Sequence, residues 1–269
     1  MPGSSEQREQ ALRHPLVLGN HEARVNDDID LLAEHISLAV PLRDIMAIGP
    51  SRHFRQRSSY RIAGDTSLTA ATITPTRMEV EESKECSIVL VTQGSATYQL
   101  DTRRYLAQAG NTAMFLPGMH YAMESELASG LVYNLSHQLL ARYLCDASRG
   151  RLDLDQALLH LQQPHAIDLT LPQLQPVLYG LKVLVRTIDS LGSQLGDNCP
   201  GNDSQALLQL QEGLYALSTA LLLPDCAGEA LNSWQGLQPP GDPHPGRPAR
   251  RAGDQPCCAS RALTARSLS

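Results

Sequence analysis

Residues 86–120 read CSIVLVTQGSATYQLDTRRYLAQAGNTAMFLPGMH, and their patterning decides the fold. Ser87 to Thr92 is a short apolar run rich in β-branched side chains, which suit a pleated, buried surface. Gln93-Gly94-Ser95 breaks the run. Ala96, Tyr98 and Leu100 then recur at period two with polar residues between them, the pattern of a strand with one face in a core and one in water. Asp101 to Arg104 makes the next turn, Tyr105 to Gln108 the next strand and Ala109-Gly110-Asn111 a third turn. Ala113 to Leu116 is apolar again, and Pro117-Gly118 stops it. Four short strands punctuated by glycine exclude a helix and a parallel βαβ unit. The stretch is a piece of antiparallel barrel.

Gly94, Tyr98, Arg103, Arg104, Ala109, Gly110, Ala113, Phe115, Leu116, Pro117 and Gly118 together resemble the cupin-like sensor domain of AraC-type transcription regulators. The matched features are an apolar strand, a glycine, an alternating strand, a basic turn and A-G-x-x-A-x-F-L-P-G. Such residues record turns and core positions, so they identify a fold more sharply than an activity. In outline the resemblance runs from Arg52 to Leu223. It implies a barrel that encloses a small-molecule effector, a helix pair that mediates homodimer contacts, and a following helical DNA-binding unit of two helix-turn-helix motifs.

Composition bounds the alternatives. Across 269 residues, 42% hydrophobic content is that of a folded soluble domain rather than a disordered chain. Aromatics at 4% argue against stacking platforms for single-stranded nucleic acid. A net charge of −6 leaves no electrostatic footprint for DNA or an anionic membrane. No run approaches the ~18 apolar residues of a membrane span, and the first residues lack an apolar secretory core, so a cytoplasmic location is expected. Six cysteines, at 86, 145, 199, 226, 257 and 258, include no C-x-x-C pair; they read as reduced thiols, with Cys86 and Cys145 in the core.

Outside the quoted stretch, Met1 to Val25 is polar and aperiodic and reads as a loose leader, and Asn26 to Leu38 as a helix with acidic caps and Ile29, Leu32 and Ile36 on one face. Leu42, Ile45, Met46 and Ile48 are expected to pack on the barrel's outside. The basic patch Arg52 to Arg61, with Phe54 and Tyr60 among its charges, reads as an Arg-studded strand edge in preference to a nucleic-acid contact. Leu68 to Thr74, Arg77 to Val80 and Leu131 to Leu135 add strands, giving seven or eight between about Tyr60 and Leu135. From Ser136 the period turns helical. Leu174, Val177, Leu181, Leu184, Ile188, Leu191 and Leu195 alternate in steps of three and four, and Leu207, Leu210, Leu214, Leu217 and Leu221 do the same, with Ser204 as the expected cap. Such stripes pack two helices at a shallow crossing angle. They can bury against each other or against a second subunit, the hairpin being favoured for part of the stripe.

The fold class expected is therefore α+β: a cupin-like antiparallel β-barrel of jelly-roll type, then a helical pair, then a disordered tail. The expected division is a leader and N-terminal helix (1–50), the barrel (51–135), a helical dimerisation region (136–224) and the tail (225–269). Tyr98, Phe115 and His120 are the expected ligand-lining residues; Leu207, Leu210, Leu214 and Leu217 are the expected dimer contacts. Metal-binding cupins carry a His-x-His pair, a Glu and a later His, whereas Gly94 to Leu100 has no histidine and His120 stands alone and out of register. No G-x-S-x-G, G-x-G-x-x-G or P-loop occurs, and His21-Glu22 and Glu34-His35 lack the partners of zinc motifs. No cofactor, metal, catalytic residue or membrane partner is expected. The last 44 residues hold six of 17 prolines, three of six cysteines and no Ile, Val, Phe, Tyr or Met, so no packed helix-turn-helix core is expected there. The reading is an AraC-type sensing and dimerisation part without a competent DNA-binding domain. The alternatives are a small cupin-type enzyme and the inactive product of a gene whose frame shifts near Cys226.

Overall fold

The computed structural model describes residues 12–13, 15–20, 22–37, 40–50, 53–194 and 202–228. The expected disorder of the tail, and Leu195, Cys199, Cys257 and Cys258, lie outside the described residues.

Twelve strands form one curled antiparallel sheet: β1 (Arg24–Asn26), β2 (Leu42–Ala47), β3 (Gln56–Ala63), β4 (Thr66–Ile73), β5 (Thr76–Val80), β6 (Glu85–Gln93), β7 (Ser95–Leu100), β8 (Arg103–Gln108), β9 (Thr112–Leu116), β10 (Tyr121–Ser125), β11 (Ala128–Ser136) and β12 (His165–Asp168). Their order is β1-β3-β4-β11-β6-β9-β8-β7-β10-β5-β2, with β12 pairing β9 off this path. The curl makes a cupin-like half-barrel. Helices fully within the described residues accompany it: α1 (Ile29–Ser37), α2 (His137–Ser148), α3 (Leu154–Leu161), α4 (Gln175–Gln194) and α5 (Asn202–Leu222).

Strand parity sorts the side chains into two layers. On β6, Ile88 and Leu90 pack under the helices while Val89 and Val91 point into the half-barrel; on β9, Ala113 and Phe115 face the helices while Met114 and Leu116 face inward. Both strands are covered on both faces, which is why they read as continuous apolar runs rather than as alternation. The helix-facing layer continues through Leu68, Ala70, Leu131, Tyr133 and Leu135 to Leu144, Leu184, Leu214 and Leu217, so sheet and helices share one core.

α5 is the centre of that core. Every residue from Gly213 to Leu222 is buried. Its polar side chains are tied to neighbouring elements: the Tyr215 hydroxyl accepts the Ser136 backbone N–H at 2.9 Å, and the Ser218 hydroxyl donates to the Leu214 carbonyl at 2.6 Å and lies 3.3 Å from the Tyr133 hydroxyl. Such pairing is what makes polar groups tolerable inside an apolar layer. Ser136 caps α2 through its side chain, and Asp153 caps α3 in a reciprocal capping box with Gln156.

Several expectations change. Nine strands lie between Gln56 and Ser136, because Tyr121–Ser125 forms β10. Leu42–Ala47 is not a group packed on the barrel's outside but strand β2, paired with β5. The leader holds core residues, Leu16 and Leu18, and Val25 lies in β1. β3 is no free edge: it pairs with β1 and β4, and Arg61 is buried in ion pairs with Asp189 at 2.9 Å and Glu22 at 3.0 Å. α5 begins at Asn202, ahead of Ser204. Cys86 is in the core, but Cys145 is only half-buried.

Candidate ligand-binding site

The inner face of the half-barrel is built mainly from alternate residues of the five strands β6 to β10. Val89, Val91, Ala96, Tyr98, Leu100, Ala107, Met114 and Leu116 are buried there, with Tyr105, Met119, Tyr121 and Met123 partly buried against them. Tyr98 and Tyr121 tilt against each other with ring centres 5.8 Å apart, a favourable arrangement for aromatic quadrupoles. Among the described residues the hydroxyls of Tyr98, Tyr105 and Tyr121 have no hydrogen-bond partner. Burial pushes the Tyr121 phenol up to about 12, and pushes that of Tyr98 further up with a smaller contribution from Tyr121, so both stay neutral donors at physiological pH.

Most of this interior is filled by side chains, but one end opens into a cavity of about 250 Å³. Leu100, Tyr105 and Met119 provide its apolar surface, and Asp101, Thr102 and Arg103 of the β7–β8 turn form one rim. The opposite rim is Gln162, Gln163 and Pro164, the linker from α3 into β12. The Asp101 backbone is left-handed (φ 51°), a conformation that Asp and Asn accept more readily than other non-glycine residues. A second, larger groove of about 490 Å³ lies on the outer face of the sheet, where Arg77, Thr97, Gln99, Arg104 and Glu124 alternate with the inward residues of the same strands.

The structure separates the three expected ligand-lining residues. Tyr98 points inward, whereas Phe115 lies on the opposite face of the sheet, fully buried in the helix-side core and 5.8 Å (ring centres) from His165. His120 is exposed in the loop before β10. Among the described residues no three His, Cys, Asp or Glu side chains gather at metal-binding distance. The sequence pattern pointed to Tyr98, but missed Tyr105, Met119, the Asp101–Arg103 rim and the Gln162–Pro164 linker. Tyr105 carried the alternation signal of its strand; the linker carried none.

The expected dimer leucines are also resolved. Leu210, Leu214 and Leu217 are buried inside the chain, in the same core as Leu181, Leu184 and Ile188, and Leu207 is half-buried against it. Leu208 and Tyr179, by contrast, are exposed on the outer surface of the helical layer. No helix among the described residues is long and apolar enough to cross a membrane.

A curled antiparallel half-barrel with a helical layer on one face is a cupin-like fold. Residues 65–176, rather less than half of the chain, match the family model for the AraC-like ligand binding domain. Among solved structures, the AraC-like transcriptional activator CuxR is similar over 75% of this chain and 70% of its own, at 13% identity and a TM-score of 0.51, a likeness of fold. KdgF from Halomonas sp. (12% identity, 34% of this chain, 86% of its own, TM-score 0.27) and a cupin domain of an XRE family transcriptional regulator from Enterobacter cloacae (9%, 30%, 95%, 0.26) match too partially to carry an argument. Among curated proteins no sequence relative matches the chain.

Proposed function

We propose that this chain is the effector-sensing part of an AraC-type transcription regulator, with its small-molecule site in the 250 Å³ cavity at the open end of the half-barrel. One observation carries the reading: that cavity is shared by the β7–β8 turn and the α3–β12 linker. An occupant therefore touches both the barrel and the chain segment leading into the helical layer. Differential contact of this kind is what allows a ligand to shift a conformational equilibrium. Tyr98 supports the site from within, beside Tyr121, and His120 follows Met119 at the rim. Phe115 acts through the core beneath β12 rather than through ligand contact. The role is regulatory and not enzymatic, in the cytoplasm.

Homodimerisation belongs to the same proposal, but with a changed surface. Leu210, Leu214 and Leu217 are committed to the chain's own core, which supports an interface on the outer side of α4 and the first turns of α5, where Tyr179 and Leu208 are exposed and Leu207 is half-buried. Sequence-specific DNA binding is not part of this proposal.

Thermal unfolding of the full chain against a panel of small metabolites tests the effector site. A compound that raises the melting temperature of the native chain, and fails to do so for Met119→Arg, is the expected result. A compound whose effect is undiminished in that variant would place the effector elsewhere.

A further inference from the structure

The lining of the end cavity holds one anion, Asp101, and one cation, Arg103, two residues apart on the β7–β8 turn. Among the described residues they form no ion pair with each other or with any other group. Arg103 stands opposite Leu100 in the strand register, on the inward face, so its guanidinium is at the rim above the apolar surface. The remaining polar lining is neutral: Thr102, the Tyr105 hydroxyl and the side-chain amides of Gln162 and Gln163.

We infer, resting on the effector-site reading above, that the cavity takes a small zwitterion with an apolar side chain, of the chemical class of the apolar α-amino acids. The argument is one of charge satisfaction. Both rim charges are exposed, and an occupant seated between them displaces part of their water, so a charge that it leaves without a partner is disfavoured. A ligand carrying only a carboxylate would pair with Arg103 and set its charge against Asp101; one carrying only an ammonium would do the reverse. A neutral ligand would leave both without a partner. An α-amino acid matches the pair, carboxylate to the planar guanidinium fork and ammonium to the Asp101 carboxylate. Its side chain then meets Leu100, Tyr105 and Met119, where aromatic and thioether surfaces both favour apolar contact. The linker glutamines can bond to either end of the head group. At about 250 Å³ the cavity falls below the roughly 300–1,000 Å³ of drug-sized sites, which suits a single small metabolite.

Isothermal titration of the full chain with L-leucine, L-phenylalanine, 3-phenylpropionate and 2-phenylethylamine tests this. The expected result is binding of at least one amino acid at least tenfold tighter than of either singly charged phenyl compound. Arg103→Gln is expected to weaken that amino acid at least tenfold while leaving 2-phenylethylamine unchanged, and Asp101→Asn to weaken it while leaving 3-phenylpropionate no weaker. Asn tolerates the left-handed backbone at 101, and circular dichroism of both exposed-site variants checks that they fold. Equal or tighter binding of a singly charged compound, lost in Met119→Arg, would overturn the zwitterion and keep the site. Amino-acid binding indifferent to Arg103→Gln, Asp101→Asn and Met119→Arg would overturn both.

Discussion

Leu217→Ala separates a core role for α5 from an interface role. The Leu217 side chain is fully buried, in a stretch where every residue from Gly213 to Leu222 is covered. It packs so closely on α4 that a Cβ placed at Gly180 would lie 3.2 Å from its Cδ2. Truncating a buried leucine costs about 2–5 kcal/mol, more where the surroundings cannot collapse into the gap. A helix enclosed on all sides has little freedom to do so, and about 3–4 kcal/mol is expected. At roughly 2–4 °C per kcal/mol for a domain of this size, the melting temperature should fall by about 6–16 °C. Leu208→Ala, on an exposed position of the same helix, should change stability by no more than about 0.5 kcal/mol. Urea unfolding followed by circular dichroism, with sedimentation velocity at matched concentration, reads both quantities. If Leu217→Ala lowers the association state and leaves the unfolding midpoint unchanged, the core assignment is wrong and the leucine serves a partner subunit.

Gly94→Ala should be among the most damaging single-methyl additions. Its φ is +75°, and a Cβ there would approach the Leu127 carbonyl oxygen to 2.2 Å; left-handed strain of about 1–2 kcal/mol plus a comparable overpacking cost predicts about 3 kcal/mol by urea titration. The His160 ring stacks on His165 at 4.3 Å between ring centres, and its Nε2 is buried without a hydrogen-bond partner; burial, and secondarily His165, lowers its pKa. A lowered folded-state pKa means that the unfolded chain takes up the proton first, so stability should be full above the ordinary histidine value of about 6.5 and fall as pH drops below it. Melting temperatures from pH 8 to pH 5 should show that decline, and His160→Phe should flatten it; an unchanged slope in the variant would remove His160 as the cause. Gel shifts of the 269-residue chain at physiological salt should show only weak, salt-sensitive DNA binding through residual arginines, and a tight operator-specific shift would contradict that.

The half-barrel was legible wherever one face of a strand meets water. Ala96, Tyr98 and Leu100 alternate because β7 has a buried inner face and an outer face of Thr97 and Gln99. Where both faces are covered, parity disappears: Met114 and Phe115 are equally apolar and equally buried, so the sequence could not say which of them looks inward. β10 was missed although Tyr121 and Met123 do alternate with Ala122 and Glu124, because five residues after a proline-glycine turn give too short a pattern. α3 did leave a local sign, the Asp153 and Gln156 capping box. β12 left none, since four residues become a strand only through pairing with β9, some fifty positions earlier. The candidate site has the same origin. Tyr105, Met119 and Gln163 converge by topology alone, and no spacing in the chain announces that.

Crystals of the full chain, grown with a compound that raises its melting temperature, would locate the effector directly. The account predicts density in the end cavity, in contact with Tyr105, Met119 and Gln163. Density in the outer groove beside Thr97, Gln99 and Arg104, with the end cavity unchanged, would contradict it.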